Sequence, residues 1–259
     1  MAEVVDDVSN LERFWLSRFR DPRALRRYGP LSLYVADTHD GEPRGVMLVS
    51  ADAEPSRGQA ALEDWVARHR TAAVPGVAGV RPVQWAGAIA YAELESAPLG
   101  DLDALIALVL RGRAPRGEAA AFSFLCQWIH RLSEALEARG TPLTALSLSS
   151  VLISERFTPE LLLLEPPQQQ ASHAEADWFV AKEGDEGSGP ALAAKFLRRC
   201  QRFFELPKER VDAVRALLTA DPGHASLAEL CAQFVTWGLA PSEHAFAVFA
   251  QAGHASLSQ

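Results

Sequence analysis

The sequence predicts an α+β fold, with a small β-rich part followed by a helical part. Leu31 to Ala36 alternates in hydropathy. Asp40-Gly41 and a returning apolar run, Gly45 to Ser50, complete a hairpin pattern. Glu118 to Ala138 repeats apolar residues at Phe122, Leu125, Ile129, Leu132 and Leu136, the spacing of a long helix. Two short apolar runs, Val151–Ile153 and Leu161–Leu164, then read as strands joined by a turn.

In chain order, Ser9 or Asn10 is placed to cap a first helix over Leu11 to Phe19. Asp21-Pro22 is expected to start a second, short helix through Arg27, so residues 1–28 read as a helical extension. Residues 29–93 form the β-rich part: the hairpin, a helix from Ser56 to Thr71, and strands at Val77–Trp85 and Ala88–Glu93. Residues 94–259 form the helical part, with a helix from Leu102 to Leu108, the long helix and the two short strands. Residues 166–190 are rich in Gln, Gly and acids and read as a flexible loop. Helices at Ala191–Phe204, Glu209–Leu218 and Pro241–Gly253 complete the chain.

The chain has 259 residues, enough for one large domain or two small ones. Its 48% hydrophobic and 22% charged residues suit a globular protein. A net charge of −8 argues against nucleic acid as the main partner. Cys126, Cys200 and Cys231 are far apart and sit in apolar patterns, so they read as buried thiols. The histidines show no metal-ligand spacing. No apolar run suggests a transmembrane segment and no targeting motif is evident, so the expected location is cytoplasmic.

The stretch RGTPLTALSLSSVLISERFTPELLLLEPP, Arg139 to Pro167, resembles the catalytic core of the protein kinases with its chemistry removed. In that alignment Leu143, Thr144 and Ala145 fall on His-Arg-Asp, and Ala145 replaces the base. Ser147 falls on the catalytic-loop Lys, Ser150 on the metal-holding Asn, and Glu165, Pro166 and Pro167 on Asp-Phe-Gly. The hairpin LYVADTHDGEPRGVMLV resembles two N-lobe strands, with Gly45 at the Ala above the adenine and Met47 at the phosphate-pairing Lys. Glu63 is the best match to the helix αC Glu, and without a Lys to pair with it is expected in solvent. Glu93 matches the hinge acid. The resemblance implies a two-lobe kinase-like fold, of degraded bacterial Ser/Thr type, with a shortened C-lobe.

Phosphoryl transfer relies on positioning and charge stabilisation, so loss of these groups removes the mechanism. No Lys precedes Lys182, and Asn10 is the only Asn, absences that hold in any alignment. The resemblance therefore implies a catalytically inactive pseudokinase, a protein-binding or regulatory module that uses no cofactor and binds ATP weakly or not at all. The alternatives are a kinase scaffold with repurposed cleft chemistry and a non-kinase helical adaptor. Ser147, Ser149 and Ser150 lack a nucleophile elbow and do not suggest a hydrolase.

Six arginines between Arg13 and Arg27 stand against one acid, Asp21, and alternate with Phe14, Trp15, Phe19 and Tyr28. Arg20, Arg23, Arg26 and Arg27 are the candidate partner-binding residues. The favoured reading docks the aromatics inward on the sheet and leaves the arginines in water; the arginines can at the same time face a protein partner. An anionic membrane surface is the lesser alternative. Phe246 and Phe249 are a second candidate surface, with core packing the favoured role.

Overall fold

The alternation of Leu31–Thr38 and Pro43–Val49 makes two strands, β2 and β3, each with two usable faces. The computed structural model describes residues 2–164, 179–180, 188–219 and 224–257, with side chains at 10–164, 189–219 and 226–256. The protein is mixed α+β and divides into two units, Met1–Ala73 with Ala78–Pro98, and Val74–Val77 with Leu99–Gln259. The division expected at 93/94 thus falls after Pro98. The N-terminal residues belong to the first unit and are not a separate extension.

The first unit is built on a five-stranded antiparallel sheet ordered β1-β2-β3-β5-β4. Its other strands are β1 (Phe19–Tyr28), β4 (Gln84–Ala86) and β5 (Ile89–Glu93). The expected helix from Asp21-Pro22 through Arg27 is replaced by β1. So short a helix cannot recover its nucleation cost, whereas β2 offers a pairing partner along nearly its whole length. Asp21 also precedes a proline, which disfavours the helical region, and it has a φ of 50°. The hairpin between β2 and β3 forms as read, with Gly41 at φ 81° and its N–H donated to the Thr38 carbonyl at 2.9 Å.

Helix α1 (Ala2–Arg18) begins well before Ser9 and Asn10, which lie inside it and do not cap it. It docks on one face of the sheet. Phe14 joins Phe19, Ala36, Val46, Leu48 and Tyr91 in a core flanked by Leu11, Trp15 and Tyr34. Phe14 lies 5.1 Å, centroid to centroid, from Tyr91. Burying such a ring stabilises by roughly 1.5–3 kcal/mol, and this is the inward placement of aromatics that the sequence suggested.

Helix α2 (Pro55–Thr71) matches its expected span, with Glu54 accepting N-terminal amides as its cap. It buries Leu62, Trp65, Val66 and His69, and its Gly58 rests against Val49, on the face opposite α1. Glu63 is exposed, bonded only to its helix neighbour Gln59 among the partners described. The strand expected from Val77 shrinks to β4, because Pro82 lacks a ladder donor and Gly79 packs against the Glu95 side chain.

In the second unit, α4 (Ala119–Ala138) is the hub. It packs against α5 (Ser188–Cys200), α7 (His224–Thr236) and α8 (Glu243–Leu257). Among the described residues the unit's other α-helices are α3 (Leu102–Leu110) and α6 (Lys208–Leu217). The helix α7 was not expected, and the Asp221-Pro222 before it lies outside the described residues. Phe246 and Phe249 are buried, against Phe124 and Phe204, so this pair belongs to the core and offers no docking surface. Cys126 and Cys200 are buried and Cys231 is half-buried, all in this bundle. Further short strands are β6 (Pro98–Asp101), β7 (Gly117–Glu118), β8 (Ala145–Leu146), β9 (Val151–Ser154) and β10 (Pro159–Leu161). β9 and β10 pair antiparallel, with β10 at Pro159–Leu161 where the sequence suggested Leu161–Leu164. Among the described residues no helix is long and apolar enough to cross a membrane.

Candidate functional site

In the first unit, β3 pairs with β2 and β5, which places Met47 opposite Leu33 and Ala92. Met47 is 0% exposed. A thioether sealed between two strands and under α2 has no charge to offer a phosphate.

Two positions before it, Gly45 explains the local geometry. A Cβ at this glycine would collide with the Leu94 side chain and come within 2.9 Å of Pro98 Cδ. Leu94, 1% exposed, therefore fills the space over Gly45. The same segment spends its backbone groups internally. Glu93 accepts from the Arg81 amide at 2.8 Å, Leu94 donates to the Gly45 carbonyl at 2.8 Å, and Glu95 donates to the Gly79 carbonyl at 2.8 Å. Backbone groups held this way are poorly available to a flat heterocycle.

The Glu93 side chain is nearly buried and lies on the α1 face, opposite Val46. It pairs with Arg81 at 3.2 Å and accepts from Gln84 Nε2 at 3.3 Å. Tyr91 donates to Gln84 Oε1 at 2.8 Å. The sequence reading missed this Arg81–Glu93–Gln84–Tyr91 network. Only the pairing of β4 with β5, which the sequence spaced differently, brings Gln84 to Tyr91.

In the second unit, Ala145 lies in a two-residue strand, β8 (Ala145–Leu146), and is 7% exposed. Ser147 and Ser150 then close on each other. The Ser150 amide donates to Ser147 Oγ at 3.0 Å and the Ser147 amide to Ser150 Oγ at 3.0 Å, while Ser150 Oγ donates to the Ser147 carbonyl at 2.8 Å. Ser149 Oγ lies 3.0 Å from Ser147 Oγ. Both Ser147 and Ser150 are 1% exposed. Their hydroxyls brace a single turn, a reciprocal capping arrangement. Glu165 lies outside the described residues. Among the described residues no group of three His, Cys, Asp or Glu side chains could hold a metal ion.

The four candidate arginines lie on β1, at the outer edge of the first unit's sheet. Arg20 and Arg23 are exposed; Arg20 donates from Nε to His39 Nδ1 at 3.3 Å. Arg27 pairs with Asp52 at 2.7 Å, and Arg26 is half-buried. These four do not form one group, because their facing differs along the strand.

No known protein-family model matches the chain, and no curated protein matches it.

Proposed function

We propose that this chain is a pseudokinase-like module that binds a protein partner and does not transfer phosphate. The observation that carries the reading is Leu94 packed over Gly45, beside a buried Met47. By the resemblance, these positions would form the roof over an adenine and the cation for its phosphates. In this chain they are filled with hydrocarbon. The seryl turn at Ser147–Ser150 supports the same reading, since hydroxyls that brace their own backbone hold neither metal nor substrate. The five-stranded sheet favours a kinase-like scaffold over a helical adaptor.

The test is to incubate the full chain with γ-labelled ATP and magnesium, alone and with protein substrates, and to melt it with and without MgATP. No incorporation and an unchanged Tm are expected. A magnesium-dependent rise in Tm, or incorporation that is lost on changing Glu165, would overturn the reading.

A further inference from the structure

We propose that β1 presents a row of three arginines, Arg20, Arg23 and Arg26, to an extended acidic segment of a protein partner whose carboxylates fall at alternate positions. The inference rests on the protein-binding reading above and names the partner's chemistry.

The argument starts from register. Residues directly opposite each other across an antiparallel pair point to the same face. Arg20 stands opposite Asp37, Arg23 opposite Val35 and Arg26 opposite Leu33. Those partners are alternate residues of one strand, so all three arginines share a face. It is the face of Gly45 and Met47, which pair with Val35 and Leu33. Arg27 stands opposite Ser32 and belongs to the other face, where it pairs with Asp52.

Simple alternation along β1 would not do this. Counting back from Tyr28 it would group Arg26, Ala24, Pro22 and Arg20, and turn Arg23 away. Two register shifts, between Ala24 and Arg26 and between Arg20 and Arg23, each add a residue to β1. The first brings Arg23 onto the row. The second returns Phe19 to the α1 core while keeping Arg20 on the row. The second shift contains Asp21 at φ 50°, a conformation that a non-glycine residue adopts at a cost and that bulges use to re-aim side chains.

The row suits a particular occupant. Its anchors on β2 repeat every second residue, about 7 Å apart, and so do the same-side residues of any extended chain. Arg20 and Arg23 are exposed, and the one acid opposite them in register on this face is the half-buried Asp37. A strand with acids at alternate positions would thus meet the exposed Arg20 and Arg23 guanidinium groups in step, with the half-buried Arg26 continuing the row, in a chain whose net charge is −8.

The experiment titrates the full chain, without nucleotide, against a fluorescent peptide in which Asp alternates with Thr, followed by anisotropy. A peptide of the same composition with its Asp in one block, and vesicles rich in anionic lipid, are the comparison probes. The alternating peptide is expected to bind about tenfold or more tightly than the block peptide. Arg20→Glu with Arg23→Glu should weaken it about tenfold or more, while Arg27→Glu changes it less than about twofold. Arg20→Lys with Arg23→Lys should retain most of the binding, and Arg20→Gln with Arg23→Gln replaces the reversal if that variant unfolds. Equal affinity for the two peptides, no saturable binding, or an equal loss with Arg27→Glu overturns the proposal. So does vesicle binding that needs Arg20 and Arg23 when neither peptide binds, which would assign the row to a membrane surface. The phosphate-transfer assay fails or holds independently of this titration, so the two readings can fall separately.

Discussion

Leu94 lies over Gly45 so closely that a Cβ at position 45 would force Leu94 or Pro98 to shift. Gly45→Ala is expected to destabilise the chain by about 1–3 kcal/mol, the usual cost of forcing an extra carbon into a packed site. Urea unfolding measures it. In a double-mutant cycle with Leu94→Ala the penalties should be strongly non-additive, because truncating Leu94 frees the space that the alanine needs.

Met47→Lys, the change that would restore the kinase cation by resemblance, is expected to cost several kcal/mol and to give no nucleotide binding. Met47 is fully buried, and the two acids of α2, Glu63 and Asp64, are both exposed. A stable variant with a MgATP-dependent rise in Tm would contradict this.

His69 sets a pH dependence. Burial against Trp65 pushes its pKa down to about 4 from 6.5, although its bond to the Trp65 carbonyl at 2.9 Å acts the other way. The folded state therefore binds this proton less readily than the unfolded state. The stabilisation is fully present above about pH 6.5 and is lost as pH falls toward 4, by up to about 3 kcal/mol. His69→Gln should flatten that part of the stability–pH curve in urea titrations.

The thiols should react in a fixed order. Burial raises all three: Cys126 well above the ordinary range, Cys200 strongly upward, and Cys231 to about 11. Cys231 is the only one of the three with appreciable exposure. Alkylation at neutral pH, read by peptide mapping, should modify Cys231 first and reach Cys126 and Cys200 only on unfolding.

Ser150→Ala should remove two of the bonds that brace the Ser147 turn and cost about 1–2 kcal/mol, because the buried Ser147 amide loses its acceptor. Thermal melting measures the loss.

Elements with a strong period of their own were legible in the sequence. α2, α4 and the hairpin at Asp40-Gly41 formed close to where the pattern placed them. β1 was misread because nothing local in Asp21–Arg27 overrides the pairing that β2 supplies from the next segment. α7 was missed because its start follows Pro222 and Gly223, residues that punctuate helices. At the site, residue identities such as Met47 and Ala145 were readable, but their surroundings were not. The fit of Leu94 over Gly45 depends on how the chain after β5 returns past β3, a long-range register that composition does not encode.

The two irregularities in β1 also govern what the strand does toward its own kind. A ten-residue strand at the outside of a sheet is a template on which further copies of the chain can stack. Two added residues, a proline and a left-handed aspartate break that template into short, twisted pieces. Guanidinium groups from neighbouring copies would repel one another across it. The chain can therefore hold a ten-residue cationic strand at its margin with little tendency to polymerise. Smoothing the strand by deleting one residue at each shift would be expected to raise the tendency to form fibres.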